Sequence, residues 1–331
     1  MKILITGGAG YIGSTIANAC VERGIQPIIL DDFSKGRRDF AAEHEWFEGD
    51  VADGELIDRI FAAHPEISAV IHCAAKIVVP ESVTQALDYY DNNVGKGIRM
   101  LQHLSRNGCE RVIFSSSASI YTVSPDFTVD EDSAVAPTSP YANSKAIFED
   151  VLRDGAAAGY FRAIALRYFN PIGADPKLRS GLQDPEPSHL LGRLVTSSRR
   201  GETFTITGMD WPTRDGSGIR DFIHVWDLAQ AHVDAIERFD DIATTENPYA
   251  VFNIGTGLGT TVKEFVDIFK EVSGAPLDVA FGPARPGDAA GAYTRSERAP
   301  EALGWTAKLT IADGITDSLK WAEKFEARLS S

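Results

Sequence analysis

Through its first half the chain alternates short β-branched runs with amphipathic stretches, and few folds accept that rhythm. The runs lie at residues 2–6, 27–30, 46–49, 69–72, 111–115 and 162–167, each followed by a helix-like segment. Such alternation implies right-handed βαβ crossovers and a parallel sheet covered on both faces. The expected fold class is therefore α/β, a doubly wound parallel sheet. Near Pro171 the rhythm breaks, and residues 173–218 are rich in Pro, Gly and charge, with one clear helical stretch at 190–200. A first domain over 1–171 and a smaller C-terminal α/β lobe over 172–331 are expected, with pieces between 219 and 254 returning to the first domain.

Composition excludes several classes of partner. The 331 residues are 44% hydrophobic and 24% charged, ordinary for a folded chain. A formal net charge of −15, with no basic run, argues against nucleic acid and anionic membrane. Cys20, Cys73 and Cys109 are odd in number and widely spaced, which suits neither a disulfide framework nor a metal knuckle, so reduced thiols and no metal are expected. Glycine follows the first apolar residues too soon for a signal-peptide core, and no apolar run reaches membrane-spanning length. A cytoplasmic location is the expectation.

Immediately after the first run stands Gly7-Gly8-Ala9-Gly10-Tyr11-Ile12-Gly13, a G-x-x-G-x-x-G opening the helical stretch 11–23. Glycines let the backbone turn tightly and approach a pyrophosphate, and the positive end of the helix stabilises that anion. A glycine motif alone is weak evidence. Asp31, closing the second run, strengthens it, because a carboxylate there accepts hydrogen bonds from a ribose and repels a 2′-phosphate. The reading is a dinucleotide site for NAD, with Lys35, Arg37 and Arg38 as the residues able to reverse the preference over NADP.

Tyr141-Ala142-Asn143-Ser144-Lys145 places a phenol and an ammonium four residues apart, on one helix face. A cation beside the phenol favours the phenolate, so Tyr141 is the candidate general base and Lys145 its partner. Upstream, 111–114 runs into Ser115-Ser116-Ser117, which sets hydroxyls at the carboxyl end of a parallel strand, where open α/β sheets bind ligands. Ser117 is the third catalytic candidate, hydrogen-bonded to the oxygen being oxidised.

With these motifs the chain resembles the nucleotide-sugar branch of the extended short-chain dehydrogenases/reductases, and within it the UDP-glucose 4-epimerase family, along nearly its whole length. The resemblance rests on 6–14, Glu48-Gly49-Asp50, Tyr89-Tyr90-Asp91-Asn92-Asn93-Val94, 114–117, Leu166-Arg167-Tyr168-Phe169-Asn170-Pro171 and 218–225. It implies a Rossmann-type domain, tightly bound NAD, a UDP-sugar substrate and a homodimer built on the stretches 83–105 and 141–158. It also implies that Asp32, Phe33, Ser34, Asp50, Val51, Cys73, Ala74, Ala75, Asn92, Ser115 and Tyr168 join Tyr141 and Lys145 at the cofactor. Asn170, His189, Leu190, Thr205, Thr207, Arg220, Arg285 and Asp288 fall, by the same resemblance, where such proteins hold the nucleotide sugar. Ala292 falls where some members carry a Tyr beside the sugar's C2, although a shift of one residue would put Tyr293 there instead.

The chain departs from the family pattern at Ile120-Tyr121-Thr122 in place of Tyr-Gly, at His189 in place of Asn, at Lys76-Ile77, and at Arg295 in place of Asp. The implied activity is inversion at C4 of a UDP-sugar, glucose/galactose first, with N-acetylhexosamine, glucuronate or pentose substrates as alternatives. A 4,6-dehydratase needs an Asp-Glu pair after the catalytic hydroxyl, where this chain has Ala118-Ser119. A non-catalytic NAD-binding regulator is disfavoured by the intact Ser117, Tyr141 and Lys145.

Overall fold

The computed structural model describes residues 1–122, 124–284 and 289–329. In the first half, strands β1 (Lys2–Thr6), β2 (Gln26–Asp31), β3 (Glu45–Glu48), β4 (Ile67–His72) and β5 (Arg111–Ser117) alternate with helices. These are α1 (Tyr11–Glu22), α2 (Arg38–Ala41), α3 (Gly54–Ala63), α4 (Val79–Thr84), α5 (Ala86–Tyr90) and α6 (Lys96–Arg106). The short β6 (Thr128–Val129), then α7 (Pro140–Ala157), β7 (Arg162–Tyr168) and β8 (Asn170–Ile172) follow. Beyond them come α8 (Leu190–Arg200), β9 (Phe204–Thr207), β10 (Ile219–His224), α9 (Val225–Glu237), α10 (Phe239–Ile242) and β11 (Tyr249–Ile254). The chain ends with β12 (Gly259–Thr261), α11 (Val262–Ser273), β13 (Val279–Gly282), β14 (Tyr293–Thr294) and α12 (Ile311–Leu329).

Seven strands form one parallel sheet in the order β11-β7-β5-β4-β1-β2-β3. Its central strands are apolar on both faces because both faces are covered. Ile3 and Ile5 pack with α1 and α9 on one side, while Leu4, Ile28 and Val70 pack with α3, α6 and α7 on the other. The order reverses between β1 and β4, where consecutive crossovers leave in opposite directions and open a crevice at the strand ends. The remaining strands form small sheets, β12-β10-β8 and β13-β9, which share a core of Phe222, Phe265, Phe269 and Leu194 with α8, α11 and α12. Among the described residues no helix is long and apolar enough to cross a membrane.

Two local expectations need correction. Residues 219–224 do not rejoin the large sheet: β10 pairs with β8 and β12, because β8 leaves the large sheet just after β7 and offers its edge, whereas β11 takes the place beside β7. The stretch 83–105 is not one helix. It is interrupted at Gln85 (φ −125°, ψ 42°) and carries a π turn over Asp91–Gly95. That turn faces Asn93 inward, where its amide donates to the Lys76 carbonyl (3.0 Å) and to the Ser144 hydroxyl (2.9 Å) and accepts from the Lys76 N–H (2.8 Å). Pairing a buried amide this fully compensates for the broken helical ladder.

Candidate active site

The crevice is lined first by backbone. Gly7 sits at φ +68°, and a Cβ there would lie 2.7 Å from the Ala74 nitrogen. One on Gly13 would lie 2.2 Å from the Gly7 carbonyl oxygen. No side chain caps α1, so its first-turn N–H groups remain for an anion at the positive end of the helix. Tyr11 turns its hydroxyl away to the Gly173 carbonyl (2.7 Å), joining α1 to the segment after β8, and Ile12 packs into the core behind the loop.

At the end of β2 the buried Asp31 carboxylate accepts from the N–H of Ala9 (2.9 Å) and of Phe33 (2.8 Å), which ties the glycine loop to the next turn. Burial pushes its carboxyl above the usual range, and the two backbone donors pull it back. Asp32 accepts from the Ser34 N–H (2.9 Å) and hydroxyl (2.6 Å), closing the turn around Phe33. Arg37 pairs with Asp39, and Arg38 pairs with Glu48 and lies over the Phe33 ring. At the rim, Asp50 pairs with Lys96 and accepts from the Ala52 N–H (2.8 Å), while Val51 is buried. Asn92 bonds its neighbour Asn93. Lys76 approaches Asp88 and the Tyr89 ring, on α5.

At the ends of β4 and β5 the polar side chains converge. The Cys73 thiol meets the Ser115 hydroxyl (3.2 Å), which also meets the His232 ring (2.9 Å) from α9. Helix α7 starts at Ser139, whose hydroxyl accepts from the Ala142 N–H (3.2 Å), with Pro140 in its first turn. Tyr141 and Lys145 are both buried, and Lys145 donates to the Ser115 carbonyl (2.9 Å) above the Phe114 ring. Burial lowers the Lys145 ammonium to about 8, offset in part by Cys73 and Glu149. Burial raises the Tyr141 phenol, and the Ser117 hydroxyl draws it back. In this structure the Ser117 hydroxyl is the neighbour that favours the Tyr141 phenolate, while the Lys145 ammonium donates to the Ser115 carbonyl. Ser117 also donates to the Ser119 hydroxyl (2.9 Å) and pairs in the sheet with Tyr168, whose phenol burial raises well above its ordinary value.

The other candidates are spread along the second lobe. Asn170 is exposed at the start of β8, and Thr205 and Thr207 share one face of β9, alternating with buried Phe204 and Ile206. The His189 ring caps α8 by accepting from the Gly192 N–H (3.2 Å), with Leu190 partly buried behind it. Arg220 donates to the carbonyls of Ala290 (2.6 Å) and Ala289 (3.1 Å). Arg285 and Asp288 lie outside the described residues. Around 292 and 293 the backbone is held to β6: Tyr293 donates its N–H to the Phe127 carbonyl and Arg295 donates its N–H to the Val129 carbonyl (both 2.9 Å). The Arg295 side chain reinforces that pairing at Asp130 (3.0 Å). In this register Ala292 packs against the cluster of Ile120, Tyr121 and Val129, while the Tyr293 ring lies against Gly259.

Several polar residues escaped the sequence reading. Glu149, Arg167, Tyr121, Asn253 and Ser116 form a buried network at the base of the catalytic helix. The available signal was Glu149 at the third position of the Tyr141, Lys145 face. Among the described residues no group of His, Cys, Asp and Glu is arranged to hold a metal.

A glycine cradle at the switch point of a parallel sheet, with a buried phenol and ammonium at the neighbouring strand end, defines a dinucleotide-dependent α/β enzyme. The chain belongs to the NAD dependent epimerase/dehydratase family, whose profile matches residues 3–255. It is 40% identical to UDP-glucose 4-epimerase of Azospirillum brasilense over 98% of this chain and 93% of that protein. It superposes with a TM-score of 0.93 on UDP-glucose-4-epimerase from Stenotrophomonas maltophila, solved with NAD and formylated UDP-arabinopyranose (31% identity, 99% of each chain). The UDP-Glc/GlcNAc 4-epimerase of Campylobacter jejuni gives a TM-score of 0.82 at 34% identity, covering 98% of this chain and 99% of that one.

Gly13→Ala is expected to remove NAD binding, since backbone on both sides prevents relaxation around the added methyl. Fluorescence titration with NADH on folded protein checks this, and wild-type affinity in the variant would show that the cradle is not the cofactor site.

Proposed function

We propose that this protein inverts C4 of a UDP-sugar, glucose/galactose first, through a 4-keto intermediate. The observation that carries the reading is the convergence of Tyr141, Lys145 and Ser117 at a strand end beside the glycine cradle. The cradle fits NAD, because Gly7 and Gly13 let the loop pack against Ala74 and the start of α1 with no side chain between, α1 keeps uncapped N–H groups for a pyrophosphate, and Asp31 at the end of β2 is positioned for a ribose. Bound there, NAD supplies the hydride acceptor and donor that the inversion requires. Asp32, Phe33, Ser34, Asp50, Val51, Cys73, Ala74, Ala75, Asn92, Ser115 and Tyr168 complete its site in this reading.

Tyr141 takes the proton of the C4 hydroxyl, and Ser117 donates a hydrogen bond to that oxygen. In its protonated form Lys145 stabilises the phenolate, and the closed, desolvated pocket strengthens that attraction. The same phenol returns the proton after the sugar has turned over. Ala118-Ser119 places a methyl and a hydroxyl where a 4,6-dehydratase requires a carboxyl pair, and Ser119 is bonded to Ser117. In this reading Asn170 touches the substrate, and His189, Leu190, Thr205, Thr207, Arg220, Arg285 and Asp288 hold its nucleotide half, beyond the division near residue 171.

Tyr141→Phe is expected to lower kcat by at least about a hundredfold while keeping NAD bound, because the lost hydroxyl acts on a proton and not on the core. A coupled assay of UDP-galactose conversion with no added NAD reads it, and more than a few per cent residual activity would refute the general-base role.

Ala292 favours a broader substrate range. In this reading the Ala292 methyl, against the cluster of Ile120, Tyr121 and Val129, takes less room beside the sugar than a phenol would. The wild-type enzyme is expected to act on UDP-N-acetylhexosamines as well, and Ala292→Tyr to lose that activity selectively, by about tenfold or more in kcat/KM. Inertness of the wild type toward both N-acetylated sugars would end this reading.

A homodimer fits the surface. Val79 (40% exposed), Val83 (66%) and Leu87 (83%) follow one another at four-residue spacing on α4 and α5, with Ile77 (62%) beside them. In this reading Val83 and Leu87, within the stretch 83–105, belong to the dimer seam together with 141–158, and the exposed apolar residues before them extend it. Light scattering at micromolar concentration is expected to give twice the chain mass, and Leu87→Glu to give a monomer; a monomeric wild type would refute the dimer.

A further inference from the structure

We propose that Glu149 is a positioning residue of the reaction: locked to β5 and β7, it indexes the helix that carries Tyr141 and Lys145 and supplies the counter-charge of the Lys145 ammonium. The inference rests on the epimerase reading above. Tyr141, Lys145 and Glu149 stand at i, i+4 and i+8 of α7 and share a face. The Glu149 side chain is 4% exposed and accepts from Arg167 at both oxygens, through Nη2 (2.6 Å) and Nε (3.0 and 3.1 Å). It accepts as well from the Ser116 hydroxyl and from the Tyr249 phenol (3.3 Å). Arg167 is fixed in turn by the Tyr121 phenol (2.7 Å), which donates to Asn253 on β11 (2.7 Å).

The consequence is geometric. Ser116 lies between Ser115, whose carbonyl holds Lys145, and Ser117, the hydroxyl beside Tyr141. Arg167 precedes Tyr168. One carboxylate therefore binds the strand with the catalytic hydroxyl, the strand with Tyr168 and the helix with the base, all within two turns of Tyr141. A planar guanidinium fork and a carboxylate admit little sliding, so the register of α7 on the sheet is set here.

The consequence is also electrostatic. Around the Lys145 ammonium stand His72 at the end of β4 and Cys73 just after it, with Tyr141 and Glu149 four residues to either side on its own helix and Arg167 of β7 paired with Glu149. Burial lowers His72 to about 3 and raises Cys73 to about 11, so both are neutral near pH 7. Among these groups the Glu149 carboxyl, paired with Arg167, lies one turn from Lys145 on the same helix face. Removing its charge disfavours the ammonium, so Lys145 gives up its proton at lower pH.

Purified full-length Glu149→Gln and Glu149→Asp are compared with wild type in pH profiles of kcat/KM, with bound NAD and melting temperature measured alongside. Glu149→Gln is expected to move the alkaline limb to lower pH by about half a unit or more, and to lower kcat by about tenfold or more. Glu149→Asp keeps the charge but withdraws it by one methylene, so its limb should stay near the wild-type position while kcat falls. A Glu149→Gln enzyme that folds with the wild-type limb, changed only in melting temperature, would overturn the proposal. Should that variant fail to fold, wild-type kcat in Glu149→Asp would overturn the indexing role. An inactive wild type would refute the epimerase reading itself, an outcome distinct from both.

Discussion

At the carboxyl ends of β1 and β4 two stretches of backbone meet with no room for a side chain, since a methyl on Gly7 would strike the Ala74 nitrogen and one on Gly13 the Gly7 carbonyl. The crevice exists because β1 sends its crossover toward β2 while the later crossovers leave β4 in the other direction. Everything else is arranged around that gap. Asp31 pins the loop to β2 through the Ala9 N–H, and α1 presents its uncapped start to the same space. A chain of net charge −15 thus forms an anion site from aligned backbone dipoles.

Beside the crevice, α7 holds its place by two kinds of contact. Phe148 is fully buried between Phe114 and Gly97, which anchors the helix by packing. The Glu149–Arg167 pair adds specificity. Leaving either partner alone in the interior would cost about 3–5 kcal/mol, so the pair tolerates few alternative arrangements. Tyr121, where the family pattern is otherwise, is accommodated in this network rather than at the reacting centre: its phenol bridges Arg167 and Asn253. Arg295, another departure, reinforces the pairing of β14 with β6 through Asp130.

What the sequence by itself determined is whatever depends on short-range order. Short continuous β-branched runs, glycines at a strand-to-helix turn, and a phenol and ammonium on one helix face are properties of ten or twenty consecutive residues, so the parallel sheet, the glycine loop and the Tyr141, Lys145 and Ser117 candidates were legible without coordinates. The tertiary structure decided what depends on partners distant in the chain. β10 reads as a strand wherever it pairs, and only the free edge of β8 assigns it to the small sheet. The stretch 83–105 has helical composition, yet a buried amide at Asn93 needs Lys76 and Ser144, and that demand breaks the helix into pieces. Glu149 looks like any solvated helix carboxylate until Arg167 and Ser116, 18 and 33 residues away, enclose it. Local periodicity carries no record of such pairings, because the free energy of a buried polar contact belongs to both partners and to the low-dielectric space between them.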